Sequence, residues 1–206
     1  MPRFVVIGQK ATAADDFLLD DLPGTSGRLD VLLRCLRAAL LFSHGLRRDV
    51  VAYLVLCGGP LAPRVMRVDG RAARFIRPDE RSLATLAKKL LAGPASSRRG
   101  FAEMRPGIAV ASGGLDDVFE DLGVMTPYVL EEGAPDLRDT PDVARTDAAF
   151  FLGDHLGFDA WTRERLEALG ARPLGIGPVS LHADDVIAIV TNEIDRRRDR
   201  AEGSGV

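Results

Sequence analysis

Short apolar runs that end at a glycine or a polar turn alternate along this chain with segments whose apolar residues recur at helical spacing. The runs predict strands at residues 3–8, 49–57, 108–111, 127–130, 148–152 and 172–176. Helices are predicted at residues 28–42, 78–91, 115–122, 160–169 and 182–198. Such alternation is typical of an α/β fold with a mainly parallel sheet. We therefore predict a single domain of this class over residues 1–200, followed by a disordered tail at residues 201–206.

The dipeptide Asp69-Gly70 interrupts this alternation, because it separates two apolar runs at residues 65–68 and 72–76. An Asp-Gly pair between two such runs is a hairpin turn signal. A small antiparallel hairpin insertion is therefore expected here. Residues 93–100 are rich in small residues and arginine, which predicts an exposed loop.

The composition limits the compartment and the class of protein. The chain has 206 residues, of which 46% are hydrophobic, so it can bury a sizeable core. Its first apolar run, before Gly8, is too short for a signal peptide or a membrane span, so we expect a cytoplasmic protein without membrane contact. Cys35 and Cys57 are too few for a disulfide framework and lack zinc-site spacing, so both are expected to be reduced and buried.

The charge balance restricts how the chain could bind nucleic acid. The formal net charge is -3 and the sequence pI is about 5.7. A globally basic binding surface is therefore excluded, and any contact with nucleic acid requires a local patch of arginines.

Two glycine-bearing turns follow predicted strands in the last third of the chain. Gly153-Asp154-His155 comes directly after one strand, and Gly175-Ile176-Gly177 ends the next. Ligands of open parallel sheets bind at the carboxyl ends of strands, where glycine allows a close backbone approach, so both turns are candidates for one crevice. Ordinary strand-to-helix turns would give the same pattern.

Other common sites are absent from the sequence. Neither turn has the third glycine of a dinucleotide fingerprint, and there is no Walker A sequence. His155 and His182 have no Cys, Asp or Glu at ligand spacing, so no metal site is predicted and cap or packing roles are favoured for both. Ser180 lacks the flanking glycines of a hydrolase elbow.

Five ordered motifs carry a family resemblance. They are Leu22-Pro23-Gly24-Thr25-Ser26-Gly27-Arg28-Leu29-Asp30, Ser43-His44-x-x-Arg47-Arg48-Asp49-Val50, Pro78-Asp79-Glu80-Arg81, Gly153-Asp154-His155 and Pro178-x-x-Leu181-His182-Ala183. Their order resembles the archaeal tRNA pseudouridine N1-methyltransferases and their bacterial relatives, a branch of the SPOUT class. The match extends from Phe4 to about Asp195.

The resemblance implies a deep trefoil knot at the carboxyl end, a homodimer, and S-adenosylmethionine as the cofactor. It places cofactor contacts at Leu130, Gly153, Ile176, Gly177, Pro178, Val179, Ser180, Leu181 and Val186. The chain departs from the archaeal pattern at Val186, where a cysteine is usual. A valine can still pack against an apolar edge of the cofactor.

The resemblance implies that the substrate is a pseudouridine in RNA, with tRNA as the first candidate. N1 of the pseudouridine carries a proton that must leave during methylation. Asp30 and Asp79, each two positions from an arginine, are candidates to accept that proton or orient the base, together with Arg28. A helix N-terminal charge for Asp79 and a surface salt bridge for Asp30 are equally compatible with the sequence. Candidates for RNA contact are Arg28, Arg34, Arg47, Arg48 and Arg81, although exposed helix charges are common.

Two further questions stay open in the sequence. Leu32, Leu36 and Leu40 could form a dimer seam, but core packing within one subunit gives the same spacing. Two other functions also fit: a SPOUT methyltransferase acting on another RNA base or a free C-nucleoside, or a cofactor-binding knot protein without transferase activity, to which the departure at Val186 points.

Overall fold

A computed structural model of the chain describes residues 1–93, 99–144 and 147–203. The strands within these residues are β1 (Arg3–Thr12), β2 (Leu41–Phe42), β3 (Gly45–Leu46), β4 (Val51–Gly58), β5 (Arg64–Asp69), β6 (Ala102–Arg105), β7 (Ile108–Ala111), β8 (Thr126–Leu130), β9 (Ala148–Gly153) and β10 (Arg172–Leu174). The α-helices are α1 (Leu22–Thr25), α2 (Leu29–Leu40), α3 (Glu80–Leu91), α4 (Leu115–Leu122), α5 (Ala160–Ala168) and α6 (Ala183–Gly203). Two short 3-10 helices, Leu137–Asp139 and Pro141–Ala144, lie between β8 and β9.

One sheet contains eight of these strands in the order β10-β8-β9-β1-β4-β5-β7-β6. The first five strands in this order pair in parallel, and the remaining three add to the edge in antiparallel pairs. The prediction of an α/β fold with a mainly parallel sheet is therefore confirmed. Because parallel strands point the same way, the carboxyl ends of β8, β9 and β10 lie along a single edge of the sheet.

The two faces of the sheet are covered by different helices. Along β1, Phe4 and Val6 pack in one core cluster, whereas Val5 and Ile7 belong to the other. The first cluster includes apolar side chains of α2, α3 and α6, and the second includes those of α4 and α5. The alternation follows from the two-residue period of a strand, and it explains why the central strands are apolar without interruption.

The prediction of a hairpin at Asp69-Gly70 is wrong, because the antiparallel strands lie elsewhere in the chain. Residues 72–76 are all described and form no strand. The carbonyl of Asp69 instead accepts a hydrogen bond from the amide of Ala73 at 2.9 Å. The side chain of Asp69 accepts a second hydrogen bond, from the amide of Arg71, at 2.9 Å. These bonds make a local turn, while β7 occupies the free edge of β5. The antiparallel extension thus joins β5 to strands on both of its sides.

The leucine stripe of α2 lies inside the subunit. Leu32, Leu36 and Leu40 are buried in the core that α2 shares with β1, β4, α3 and α6. Of the two readings left open by the sequence, core packing is therefore correct, and a dimer seam through these leucines is wrong. The helix is covered on several sides within its own chain, which leaves this stripe no accessible face.

Both chain segments predicted to be unstructured fall partly outside the described residues. The parts outside are residues 94–98 of the predicted loop and residues 204–206 of the predicted tail. Helix α6 itself continues through Gly203, so the disordered tail predicted at residues 201–206 is wrong for residues 201–203. Within the described ranges, no helix is both long enough and apolar enough to cross a membrane.

Candidate active site

A cleft of ≈ 710 Å³ opens at the carboxyl edge of the parallel strands. Its wall comes from the start of α2 and from the segments that follow β8, β9 and β10. The predicted cofactor residues that line it are Leu130, Gly153, Ile176, Gly177, Val179, Ser180 and Leu181. Pro178 and Val186 are not among its lining residues, and Val186 packs against the hydrophobic core. The structure thus brings together most of a set that the sequence separates by about fifty positions.

The turn after β9 depends on two glycines. A Cβ atom on Gly153 would come within 2.7 Å of the backbone of Gly157, so a side chain there would displace the turn. Asp154 fixes the same turn, since its carboxylate accepts the amides of Gln9 at 2.9 Å and Leu156 at 2.8 Å. Gly157 has a φ of 70°, a conformation that favours glycine. The result is a backbone wall that a ligand can approach closely.

The chain after β10 crosses the segment that follows β8. The amide of Gly175 donates to the carbonyl of Pro135 at 2.8 Å, and the amide of Leu137 donates to the carbonyl of Gly175 at 2.8 Å. A Cβ atom on Gly175 would lie 2.5 Å from the carbonyl oxygen of Ala134. Only glycine permits this approach, which sets the following residues, 176–181, against the end of β8.

The third wall begins at a tight approach between Gly27 and β1. A Cβ atom on Gly27, which has a φ of 61°, would lie 1.8 Å from the carbonyl oxygen of Lys10. The next residue, Arg28, is the N-cap of α2 and also adopts a left-handed φ of 69°. The Oγ of Ser26 accepts the amide of Leu29 at 3.1 Å, which holds the start of the helix. Arg28 is thereby directed into the cleft wall.

Asp30 forms an ionic cluster with two arginines of the cleft. Arg28 donates two hydrogen bonds to its carboxylate at 2.9 and 3.1 Å, and Arg34 donates one at 2.9 Å. The side chain of Asp30 is 2% exposed, whereas those of Arg28 and Arg34 are 43% and 38% exposed. Burial alone would raise the pKa of Asp30, but the hydrogen bonds from Arg28 and Arg34 outweigh it and hold that pKa below its ordinary value. Asp30 is therefore a buried carboxylate that stays ionised.

Asp79 lies elsewhere. It is the exposed N-cap of α3, and its carboxylate accepts the amide of Ser82 at 2.8 Å, which also lowers its pKa. Arg34 connects the two regions, because it lines both the cleft and a smaller hollow of ≈ 180 Å³ beside Pro78 and Glu80. The structure thus places Asp30 in contact with Arg28 and Arg34, which line the cleft, although Asp30 itself is not among the lining residues. Asp79 has no contact with this cluster and also lies outside the wall.

The other predicted RNA contacts have partners within the chain. Arg47 forms two hydrogen bonds with Asp195 at 3.1 and 2.6 Å, and Arg81 forms an exposed ion pair with Asp20 at 2.7 Å. Arg48 donates to the carbonyls of Gly70 and Ala73, both at 2.8 Å. Among the predicted arginines, Arg28 and Arg34 are the ones that line the cleft.

Sequence reasoning missed several charged residues of the cleft. They are Glu131, Glu132, Arg163 and Asp184. Glu131 pairs with Arg163 at 2.9 Å, and Glu132 accepts a hydrogen bond from Ser180. Only Glu131 and Glu132 could have been found from the sequence, because they directly follow a predicted strand.

The histidines and cysteines have separate environments. His155 and His182 are exposed on the cleft wall, so packing roles for them are wrong, although His182 directly precedes α6 and its carbonyl accepts the amide of Val186. Within the described residues, no cluster of His, Cys, Asp or Glu is arranged to hold a metal ion. Both cysteines are free; Cys35 is buried, and burial raises the pKa of the partly buried Cys57 to about 11, which makes a reactive thiolate unfavourable.

Comparisons with known proteins agree with this geometry. Residues 1–199 match the family model described as "Putative SAM-dependent RNA methyltransferase". The tRNA (pseudouridine(54)-N(1))-methyltransferase of Methanococcoides burtonii is 40% identical over 201 residues, covering 95% of this chain and 96% of the relative. The enzyme of the same name from Methanocorpusculum labreanum is 38% identical, covering 98% of this chain and 100% of the relative.

A solved structure has the same fold. Archaeoglobus fulgidus Nep1, solved with S-adenosylhomocysteine bound, aligns with a TM-score of 0.65 at 19% identity, over 96% of this chain and 99% of that one. The family resemblance predicted from the ordered motifs is thus confirmed. The chain belongs to the family of S-adenosylmethionine-dependent RNA methyltransferases.

Proposed function

We propose that this protein methylates N1 of a pseudouridine in tRNA, with S-adenosylmethionine as the methyl donor. The observation that carries the proposal is the cleft itself, which is lined by glycine-bearing turns and by Arg28 and Arg34, the two arginines that the buried Asp30 holds. The names of the relatives point to position 54 of the tRNA as the target. A cofactor site and an arginine-bordered substrate site share this single opening.

The cleft suits the cofactor chemically. Gly157 and Gly177 both line it, and a Cβ atom on either would meet nothing within 4 Å, so each leaves space that a side chain would take. Leu130, Ile176 and Leu181 offer apolar contacts for an adenine ring, and Glu132 and Asp184 offer carboxylates for cationic or hydroxyl groups. When bound, S-adenosylmethionine supplies an electrophilic methyl carbon on its sulfonium.

The role of Asp30 follows from its lowered pKa. A carboxylate held ionised by two arginines is a weak proton acceptor, because a good general base has a pKa near the working pH. We therefore assign Asp30 a positioning role: it fixes the guanidinium groups of Arg28 and Arg34 at the cleft. Those groups retain N–H donors for the uracil carbonyls or the flanking phosphates.

The deep trefoil knot is also a proposal, and contacts of the β8–β9 connection support it. Arg197, on α6, donates to the carbonyls of Thr140 at 2.6 Å and Leu137 at 2.8 Å. The amide of Leu137 in turn bonds to Gly175, just after β10. The connection therefore lies across the carboxyl-terminal segment at two places, as the threading of that segment through a loop requires.

A homodimer in the cytoplasm completes the proposal. The resemblance implies the dimer, and Arg81, which belongs to the third motif, is exposed outside the cleft of its own chain, where a second subunit could use it. The cytoplasm is proposed because the substrate is tRNA.

Two exposed valines allow a matched test of the cofactor site. Val179 lines the cleft, whereas Val124 lies just before β8, at the opposite edge of the sheet. Val179→Trp should fill the opening and weaken S-adenosylmethionine binding in calorimetry by at least about tenfold, which corresponds to about 1.4 kcal/mol. It should also abolish transfer of labelled methyl groups to tRNA. Val124→Trp should leave both unchanged, and equal behaviour of the two variants would place the cofactor elsewhere.

A further inference from the structure

Phe75, in the loop between β5 and α3, combines two unusual properties. Its side chain is 86% exposed, which is rare for a residue so apolar. Its φ is 59°, in the left-handed region that bulky side chains avoid. Strained residues of this kind persist where the surrounding structure holds them, and they concentrate at functional sites.

Both sides of the loop are anchored, so the exposure of Phe75 is built into the fold. Ala73 is fully buried, and its carbonyl accepts a hydrogen bond from Arg48 at 2.8 Å. Ile76 is 9% exposed and belongs to the main core cluster. The left-handed residue between these anchors therefore projects an aromatic ring into solvent at a fixed place.

Arginines lie near Phe75 in the chain. Arg74 and Arg77 flank it in sequence and are exposed, and neither forms an ion pair with any residue that the structure describes. Arg37 lines the hollow beside Pro78, the residue after Arg77. Together with Arg34, which lines both that hollow and the cleft, these residues form a strip that we call the arginine strip (Arg34, Arg37, Arg74 and Arg77). It extends from the cleft to the chain segment that holds Phe75. Its acidic neighbours are Glu80 in the hollow, Asp30 and Asp184 beside Arg34, and Asp79 near Arg77.

We propose that Phe75 is a stacking platform for an unpaired base of the RNA substrate, whose phosphates contact the arginine strip. The inference rests on the proposed function and adds a second RNA subsite outside the cleft. Bases stack on exposed aromatic rings with little sequence preference, and neighbouring arginines supply the phosphate contacts. The concentration of positive charge in a chain of net charge -3 favours an RNA over a protein partner at this place.

The test measures tRNA affinity and thermal stability together. The probe is a full-length tRNA with pseudouridine at position 54, at one fixed salt concentration. Phe75→Ala should raise the Kd by about tenfold, as expected for the loss of one base stack, and Phe75→Trp should retain affinity. Phe75→Gly should weaken binding equally, yet its Tm should not fall below that of the wild type, because glycine relieves the left-handed φ. Phe42→Ala removes another exposed phenylalanine and should leave the Kd unchanged.

Three results would overturn the inference. Wild-type affinity in both Phe75→Ala and Phe75→Gly would remove the stacking role. A change of oligomeric state in either variant, seen by light scattering, would assign Phe75 to a contact between subunits. A wild-type protein that binds S-adenosylmethionine but no tRNA would contradict the proposed function itself, a result distinguishable from failure at Phe75 alone.

Discussion

Asp30 shows how a single buried carboxylate can hold two arginine side chains of the cleft. Each arginine that contacts it is more than a third exposed. Without Asp30, Arg28 would lose its ion-pair partner, and Arg34 would keep only the longer contact of 3.9 Å with Asp184. The hydrogen bonds from these arginines outweigh the cost of burying the carboxylate and keep the pKa of Asp30 low. The same bonds therefore serve the stability of α2 and the geometry of the cleft.

The lowered pKa makes a prediction about pH. Stabilisation by the Asp30 charge is complete above about pH 4, the ordinary pKa of an aspartate, and is lost as the pH falls through the lowered folded-state pKa. Asp30→Asn should lower the free energy of unfolding by about 1 kcal/mol at pH 7, a value that allows for solvent screening of the arginines. In urea unfolding, the difference from wild type should shrink at pH 3. If the variant and the wild type differ in stability by the same amount at both pH values, the charge of Asp30 is not the cause. Asp195→Asn serves as the control, because it breaks the ion pair of Arg47 with a more exposed carboxylate.

Asp79 is a residue whose sequence context suggested chemistry and whose position indicates a helix cap. Asp159 is its match, since it caps α5 by accepting the amide of Thr162 at 2.8 Å, the same distance as from Asp79 to Ser82. Asp79→Ala and Asp159→Ala should lower the Tm by similar small amounts through loss of the cap. Both folded variants should methylate tRNA at the wild-type rate. A selective loss of turnover in Asp79→Ala would instead give Asp79 a direct role, contributed to a cleft by a second subunit.

Among the helices and strands, those with a regular pattern of buried apolar residues were predicted correctly. Helix α2 and strand β4 have continuous or periodic apolar residues, and both lie within two residues of their predicted bounds. Strand β6 was missed because all of its residues are exposed, which leaves no alternation to read. The partner of β5 was predicted wrongly because strand pairing is non-local: β7 competes for the same edge as the residues that follow Asp69-Gly70.

The candidate site likewise has parts that the sequence predicts and parts that it does not. Gly153 and Gly175 could be found from the sequence because each ends a strand, and the structure explains them by close backbone approaches to Gly157 and Ala134. The crossing of residues 131–137 over the end of β10 could not be derived from periodicity. It depends on contacts between segments about forty residues apart.

At the scale of the whole molecule, the cleft exists because the order of strands brings distant segments to one edge. Strands β8, β9 and β10 are neighbours or next neighbours in the sheet, and α2 begins beside them after β1. The net negative charge of the chain is compatible with an RNA substrate because the arginine strip supplies local positive charge. The cleft wall itself carries both signs, since Arg28, Arg34 and Arg163 line it together with four carboxylates. RNA binding should consequently weaken as salt is raised.

The central claim is that the protein transfers a methyl group to N1 of pseudouridine in tRNA. Its most direct test is nucleoside mass spectrometry of two tRNA transcripts, one with pseudouridine and one with uridine at position 54, after incubation with the purified protein and S-adenosylmethionine. N1-methylpseudouridine should appear in the first transcript and no methylated nucleoside in the second, and the amount of product should fall sharply with Arg28→Ala. Equal methylation of both transcripts, or a methyl group on another base, would show that N1 of pseudouridine is not the target.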